Sequence, residues 1–314
     1  MKALVTGGAG FIGRWVVKKL LNRRIDCIII DDLSSGFEEN IREFKDNPKF
    51  ISFIKESICS QSLIEDIFFK FKPDICFHLS ARINVQQSID NPKDVFSNEL
   101  IGTFNILEAC RKNKTKLVFT STCMVYAESR DGTPINEESE TLPRSPYAGM
   151  KLACENLVIS YFHAYKFPTT ILRPFNTYGP FQRTDGEGGV VAIFLSNTIK
   201  NEPLRIYGDG TQTRDLLFVE DCADFITGAG LSDKTDGEII NAGSGKDISI
   251  NDLASLITKE ESKIQHIPHI HPQSEIMKLI CDNSKATSII GWKPVTELTE
   301  GINKTRAWLF KTIR

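Results

Sequence analysis

Residues 2–13 read KALVTGGAGFIG, and residues 14–31 continue RWVVKKLLNRRIDCIIID. Lys2 to Thr6 is a short apolar run that ends in glycines. From Phe11 to Asn22 the apolar residues fall at 11, 12, 15, 16, 17, 20 and 21, which is helical spacing. Ile25 to Ile30 is a second apolar run, rich in β-branched residues, of the kind buried on both faces of a sheet. The stretch therefore reads strand, tight turn, helix, strand. Gly7, Gly8, Gly10 and Gly13 satisfy both GxxGxxG and, from Gly8, GxGxxG. Between a strand and a helix, such glycines permit the turn, let backbone N–H groups approach a pyrophosphate, and aim a helix N-terminus at its charge. Asp31 follows Gly13 by eighteen positions, close to the spacing of roughly twenty at which a carboxylate receives adenine-ribose hydroxyls. NAD is favoured over NADP, because a 2′-phosphate would meet Asp31 and Asp32 as like charges. Arg14 and Arg24 are the residues that would soften that preference.

Outward from this unit, apolar runs at Phe50–Ile54, Ile75–Leu79, Leu117–Thr120 and Thr169–Leu172 alternate with stretches that hold helices, such as Phe96–Arg111 and Tyr147–Tyr165. The pattern predicts a Rossmann-like α/β fold with a doubly wound parallel sheet. After Arg173-Pro174 the pattern loosens into a Gly-rich loop (185–189), short runs at Leu204–Tyr207 and Leu216–Val219, and isolated helices at 190–200, 221–230 and 251–258. The expected organisation is an NAD-binding domain over 1–175, joined by part of 215–245, and a smaller C-terminal α/β substrate-binding domain over 176–314. A cleft between them is the expected ligand site.

The 314 residues are 41% hydrophobic and 25% charged, which excludes disordered and collagen-like classes. A formal net charge of -2 leaves no surplus for nucleic acid. No apolar run approaches a bilayer span and no secretory signal opens the sequence, so a cytoplasmic protein without membrane contact is expected. The eight cysteines form no CxxC pair and read as reduced, mostly buried thiols. His266, His269 and His271 stand in a Pro-interrupted loop without a nearby carboxylate at metal spacing, and no metal site is expected.

KLVFTST (116–122) runs into CMVYA, and SPYAGMK (145–151) then places Tyr147 and Lys151 four apart on a helix opened by Ser145-Pro146. A phenol, ordinarily near a pKa of about 10, is a poor base at neutral pH. An adjacent ammonium and a positive nicotinamide ring favour phenolate, so the Tyr147 pKa is expected to be lowered. Tyr147 would take a sugar hydroxyl proton, Lys151 would hold the nicotinamide ribose, and Thr122 would add a hydroxyl hydrogen bond to the reacting oxygen.

TGGAGFIG, DDLSSG, FHLSA, SNELIGTFNILEAC, FTSTCMVY, SPYAGMK, LRPFNTYGP, YGDGTQTRDLLFVEDCA and GWKP occur in family order between residue 2 and about 294. In these motifs the chain resembles the extended short-chain dehydrogenase/reductase family, in its nucleotide-sugar epimerase/dehydratase group. The resemblance implies bound NAD, a nucleoside-diphosphate sugar as substrate with UDP favoured, and a homodimer joined through helices at about 95–111 and 147–165. It makes Thr122, Tyr147 and Lys151 the catalytic triad. Gly7, Gly10, Phe11, Ile12, Gly13, Asp31, Leu79, Ser80 and Ala81 would join Lys151 around the cofactor. Asn176 and Arg214 would lie at the sugar diphosphate, and Leu204–Tyr207 by the base, with Val190 and Tyr207 contacting substrate. His78 belongs to the strand core.

Three positions depart from the family. Dehydratases of this kind carry an acid and a glutamate after the triad threonine, and here stand Cys123 and Met124. Methionine accepts no proton, which favours a 4-epimerase, with Met124 shaping the sugar pocket. The alternative is a 4,6- or 5,6-dehydratase using the Cys123 thiol as acid; a second is a non-catalytic NAD-binding regulator. His271 occupies the place of a diphosphate-binding arginine, and Arg82, after HLSA, is expected to face the nicotinamide or the sugar.

Overall fold

The computed structural model describes residues 1–82, 85–185 and 189–313. In chain order the first half contains β1 (Lys2–Thr6), α1 (Phe11–Asn22), β2 (Asp26–Ile30), β3 (Phe50–Ile54), α2 (Gln61–Phe71), β4 (Ile75–His78), α3 (Val85–Asp90), α4 (Pro92–Phe96), α5 (Thr103–Asn113), β5 (Lys116–Thr120), α6 (Pro146–Tyr165) and β6 (Thr169–Pro174). The second half adds β7 (Asn176–Tyr178), α7 (Val190–Ile199), β8 (Leu204–Tyr207), β9 (Thr213–Phe218), α8 (Val219–Gly230), β10 (Ile239–Ala242), β11 (Asp247–Ser249), α9 (Ile250–Ile257), β12 (Ile264–Ile267), β13 (Lys278–Leu279), α10 (Ser284–Ile290) and α11 (Leu298–Thr312).

Seven strands form the large sheet in the order β10-β6-β5-β4-β1-β2-β3, and every pairing in it is parallel. Successive side chains alternate between its faces, so both faces must be apolar where helices cover both. Ala3, Val5, Ile29, Phe77 and Val118 pack on one side with Val16 and Leu20 of α1 and Phe225 and Ile226 of α8. Leu4, Ile28, Ile30, Cys76, Leu117 and Phe119 pack on the other with Phe68 of α2, Ile106 of α5, and Cys154 and Val158 of α6. Each such side chain contributes about 1.5–3 kcal/mol by leaving water. Strand order reverses between β1 and β4, and the crevice this opens at the carboxyl ends of the strands is where the site forms.

β9 carries β11 antiparallel, and β13 and β7 parallel, while β8 pairs with β12. Their core joins Phe194 of α7, Ile206, Phe218, Leu253 of α9 and Ile302 of α11. The chain returns to the large sheet three times beyond residue 175, through α8, β10 and α10. Glu155 ties α6 to that sheet. Its carboxylate accepts Arg173 Nε at 2.9 Å, Arg173 Nη1 donates to Tyr126 Oη at 2.7 Å, and Tyr126 donates to Asn241 Oδ1 at 2.8 Å.

The helix expected over Phe96–Arg111 is present, but it is not α-helical throughout. Between α4 and α5 the backbone widens into a π-helical turn, Ser97–Gly102, which rotates the following side chains and buries Asn98 and Glu99. No helix among the described residues is long and apolar enough to cross a membrane. All eight cysteines are free thiols, and all but Cys59 are buried.

Candidate active site

A cavity of about 560 Å³ lies over the carboxyl ends of β1, β2, β4, β5 and β6 and runs across to β8 and β9. At one end the glycine loop forms its floor. Gly7 has φ +71°, and a side chain there would meet the Ser80 amide at 2.8 Å; a Cβ on Gly13 would collide with the Gly7 carbonyl. The loop is thus a cradle of bare backbone at the start of α1, the geometry a pyrophosphate requires. Thr6 Oγ1 accepts both Leu79 N and Ser80 N at 3.2 Å, which sets the opposite wall, Leu79–Ser80–Ala81.

Asp31 ends β2 against this loop. Its oxygens accept Ala9 N and Leu33 N, each at 2.9 Å, while burial holds the carboxyl above its ordinary pKa. Each oxygen keeps a second lone pair for a ribose hydroxyl. Arg14 does not soften the charge here. Its guanidinium lies 3.7 Å from the Phe181 ring centroid, bonds the Asn40 carbonyl and pairs with Glu43; burial lowers its pKa to about 10. Arg24 sits at the far end of α1 with φ +58°. The cradle and Asp31 fit the pyrophosphate and adenine ribose of NAD.

Ser145 caps α6 through Ala148 N, and Pro146 opens the helix, so Tyr147 enters on its first turn with Lys151 one turn on. Lys151 Nζ donates to the Thr120 carbonyl at 3.1 Å and lies 3.0 Å from Glu99 Oε2. Burial pulls the ammonium down, but Glu99, Tyr147 and Cys154 outweigh it and leave Lys151 above its usual pKa. Lys151 lowers Tyr147 as expected, but in the protein alone, without the nicotinamide charge, the phenol is held up at about 12. Burial is the largest cause, and Glu99 works against the lowering by Lys151 and by the Thr122 hydroxyl. Cys123 lines the same wall at 2% exposure, its thiol pushed up to about 12 mainly by burial. His78 is a core residue, as expected, bonded to Thr6 and Thr103 hydroxyls at 2.6 and 3.0 Å.

At the other end, Asn176, Val190, Tyr207 and Arg214 all line the cavity, and Met124 lines it as well. Arg214 is not paired with its neighbour Asp215. It donates to the Ile276 carbonyl at 2.8 Å and pairs with Glu275. His271 is a correction. It is absent from the cavity wall and faces Asp90 at 3.3 Å, because the loop turns its backbone N–H onto the His269 ring. His269 takes the wall instead, bonded to Glu275 at 2.7 Å and with its ring tilted at 58° against Tyr207, 5.5 Å between centroids. Arg82 lines the cavity but pairs with Asp32 at 3.3 Å and Asp94 at 3.5 Å, which holds it at the cofactor end rather than over the sugar. Residues 186–188 of the Gly-rich loop lie outside the described residues.

The model of the GDP-mannose 4,6 dehydratase family matches residues 4–305. The chain belongs to this family. The resemblance to extended short-chain dehydrogenase/reductases is therefore correct, and the group contains both epimerases and dehydratases. The chain is 35% identical over 308 residues to a UDP-glucose 4-epimerase of Mycolicibacterium smegmatis, covering 97% of each. Among solved structures it is similar to Pal from Bacillus thuringiensis, at 53% identity, TM-score 0.98 and full coverage of both chains. It is also similar to Thermus thermophilus UDP-glucose 4-epimerase in complex with NAD, at 32% identity, TM-score 0.90 and 99% coverage of both.

Within this family frame, sequence reasoning missed Glu99, Glu275 and His269. Glu99 reads as one polar residue of an amphipathic helix, and only the π-helical turn brings it onto Lys151. His269 and Glu275 sit in an irregular loop, where no period reports which side chain points inward.

Proposed function

We propose that this protein is an NAD-dependent enzyme that oxidises a nucleoside-diphosphate hexose at C4 and returns the hydride to the opposite face, a 4-epimerisation. The glycine cradle, Asp31 and Lys151 would hold NAD, which when bound would supply the hydride acceptor for C4. Tyr147 Oη takes the C4 hydroxyl proton and gives it back after the 4-keto sugar has turned; Thr122 orients that oxygen. The large sheet carries this chemistry. The part beyond Asn176 seats the nucleotide, with Arg214 on the diphosphate and Tyr207 by the base.

The observation that carries epimerisation over dehydration is the wall beside Tyr147, made of Cys123 and Met124. Among the described residues, the carboxylates lining the cavity are Asp31, Asp32, Glu56 and Glu275, with Asp31 against the glycine loop and Glu275 on Arg214. A 4,6-elimination needs a base near C5, and a thiol at about 12 and a thioether do not supply one. Proton NMR in D₂O with UDP-glucose, UDP-N-acetylglucosamine, UDP-glucuronate and their GDP and dTDP counterparts tests this. A new anomeric signal without deuterium at C5 is expected. A C6 methyl or exocyclic alkene signal overturns it in favour of a dehydratase. Tyr147→Phe excludes a regulator if turnover is lost.

A homodimer fits the surface. Phe96, Ile101 and Phe104 are 43–47% exposed along α4–α5, and Tyr165 of the neighbouring α6 is 51% exposed. Sedimentation of the purified protein should give twice the chain mass.

A further inference from the structure

We infer that Glu99 is a positioning residue for the reaction: its carboxylate balances the Lys151 ammonium and keeps the Tyr147 oxygen basic enough to take the substrate proton. This rests on the reading of Tyr147 as the group that exchanges the substrate proton. Glu99 has 0% side-chain exposure and Lys151 2%. One carboxylate oxygen faces Lys151 Nζ at 3.0 Å, and the other accepts the Arg82 backbone N–H at 2.7 Å. Its own carbonyl accepts the Cys154 thiol at 3.3 Å. One residue thus joins the loop after β4, the π-helical turn and α6 at the point where the lysine emerges.

A buried carboxylate is costly unless paired, and packing alone gives no reason for one here. The surroundings are apolar or neutral: the Phe119 ring lies 5.0 Å from Lys151 Nζ, and Cys154 is buried. The titratable groups facing the Tyr147–Lys151 pair are Glu99 from the π-helical turn, Cys123 after β5, Cys154 on α6 and His78 on β4. His78 is held neutral by burial, and both thiols are pushed up. The Arg82 guanidinium points away to Asp32 and Asp94, and Ser88 meets Tyr147 only at the backbone. Glu99 is therefore the anion that opposes Lys151.

The chemistry needs that opposition. The same phenol oxygen must take a proton from the C4 hydroxyl and return it. An unbalanced ammonium beside Tyr147 favours phenolate but makes it a weak base, which takes the C4 proton poorly and, once protonated, loses it readily. With Glu99 in place the pair is nearly neutral toward the phenol, and both directions stay accessible.

The test is ultraviolet titration of tyrosinate in the purified protein. Tyr147 is one of six tyrosines, so its contribution is isolated by subtracting a Tyr147→Phe titration in each background. Glu99→Gln keeps the acceptor for the Arg82 N–H and removes the charge; the Tyr147 midpoint should fall by about one pH unit or more, at least a tenfold change in ionisation constant. An unmoved midpoint overturns the proposal. Glu99→Gln/Lys151→Met removes the pair together and carries the test if the single variant does not fold. Its midpoint should stay within about half a unit of wild type, whereas a clearly raised midpoint means Lys151 acts unopposed and the proposal fails. Turnover retained in Tyr147→Phe would instead overturn the catalytic reading and leave the titration result standing.

Discussion

Two buried ion pairs anchor α6, one turn apart, and they do different work. Glu155 meets Arg173 at 1% and 4% side-chain exposure, on the side where the helix packs on β6. Glu99 meets Lys151 at 0% and 2%, where the helix faces the cavity. The Glu155–Arg173 pair is closed. Arg173 also bonds Tyr126, Tyr126 bonds Asn241, and burial of the guanidinium is outweighed by Glu155, so its pKa is raised. The Glu99–Lys151 pair is open at one end, because an ammonium has three donors and the protein uses two of its directions, on Glu99 and the Thr120 carbonyl. Arginine suits a permanent, planar, bidentate tie, while lysine suits a site where proton affinity is tuned. Burial and charge alone do not separate a structural pair from a chemical one; the unused donor facing a cavity does.

The widest separation should come from removing the cations. Lys151→Met is expected to lower turnover by about 10²–10⁴-fold in a folded protein, whereas Arg173→Met should leave turnover per folded molecule unchanged. Steady-state rates normalised to folded protein check this, and equal losses would erase the distinction.

Removing the anions should reverse the order. Glu155→Gln strands a guanidinium that cannot shed its proton and should cost about 3–5 kcal/mol in urea unfolding. Glu99→Gln keeps an acceptor for the Arg82 N–H and leaves the Lys151 ammonium on the Thr120 carbonyl, with a donor free toward the cavity, so the cost should be about half as large.

His78 extends the comparison to pH. Burial first, and the Lys151 charge second, lower its pKa to about 3 in the folded protein, against about 6.5 in the unfolded chain. The unfolded state therefore binds the extra proton between these values, and stability must fall as pH drops through that window. At pH 4.5 the loss should be about 2.5 kcal/mol relative to pH 7, and it should be missing from the unfolding curves of His78→Gln. Parallel pH dependence in the two proteins would rule this out.

The smallest effect is expected from replacing the closed pair outright. Glu155→Leu/Arg173→Met exchanges charge for apolar volume and should shift stability by no more than about 1 kcal/mol in either direction. A loss as large as that of Glu155→Gln would mean that the tie to Tyr126 and Asn241, and not the charge, carries the energy.

Local pattern alone was enough for six of the seven strands of the large sheet, all but β10, and for the glycine loop, Asp31 and the Tyr147–Lys151 spacing. Periods of 2 and 3.6, together with the glycines between them, are properties of a few neighbouring residues, and the strand-turn-helix geometry follows from them. The capped start of α6 was equally local, since Ser145 and Pro146 act within one turn. What failed was everything set by distant partners. The sequence showed the lysine that lowers Tyr147 but not the burial and Glu99, 48 positions earlier, that oppose it. It offered Arg14 to a phosphate, and Phe181 and Glu43 took it. It put His271 in the substrate site, and a turn in an irregular loop delivered His269 and Glu275. Backbone shape is written largely in short-range sterics and hydrophobic period, so the sequence by itself determined the fold and the place of the cavity. Proton affinities and ion-pair partners depend on desolvation and on charges brought together from across the chain, and only the tertiary structure decided those.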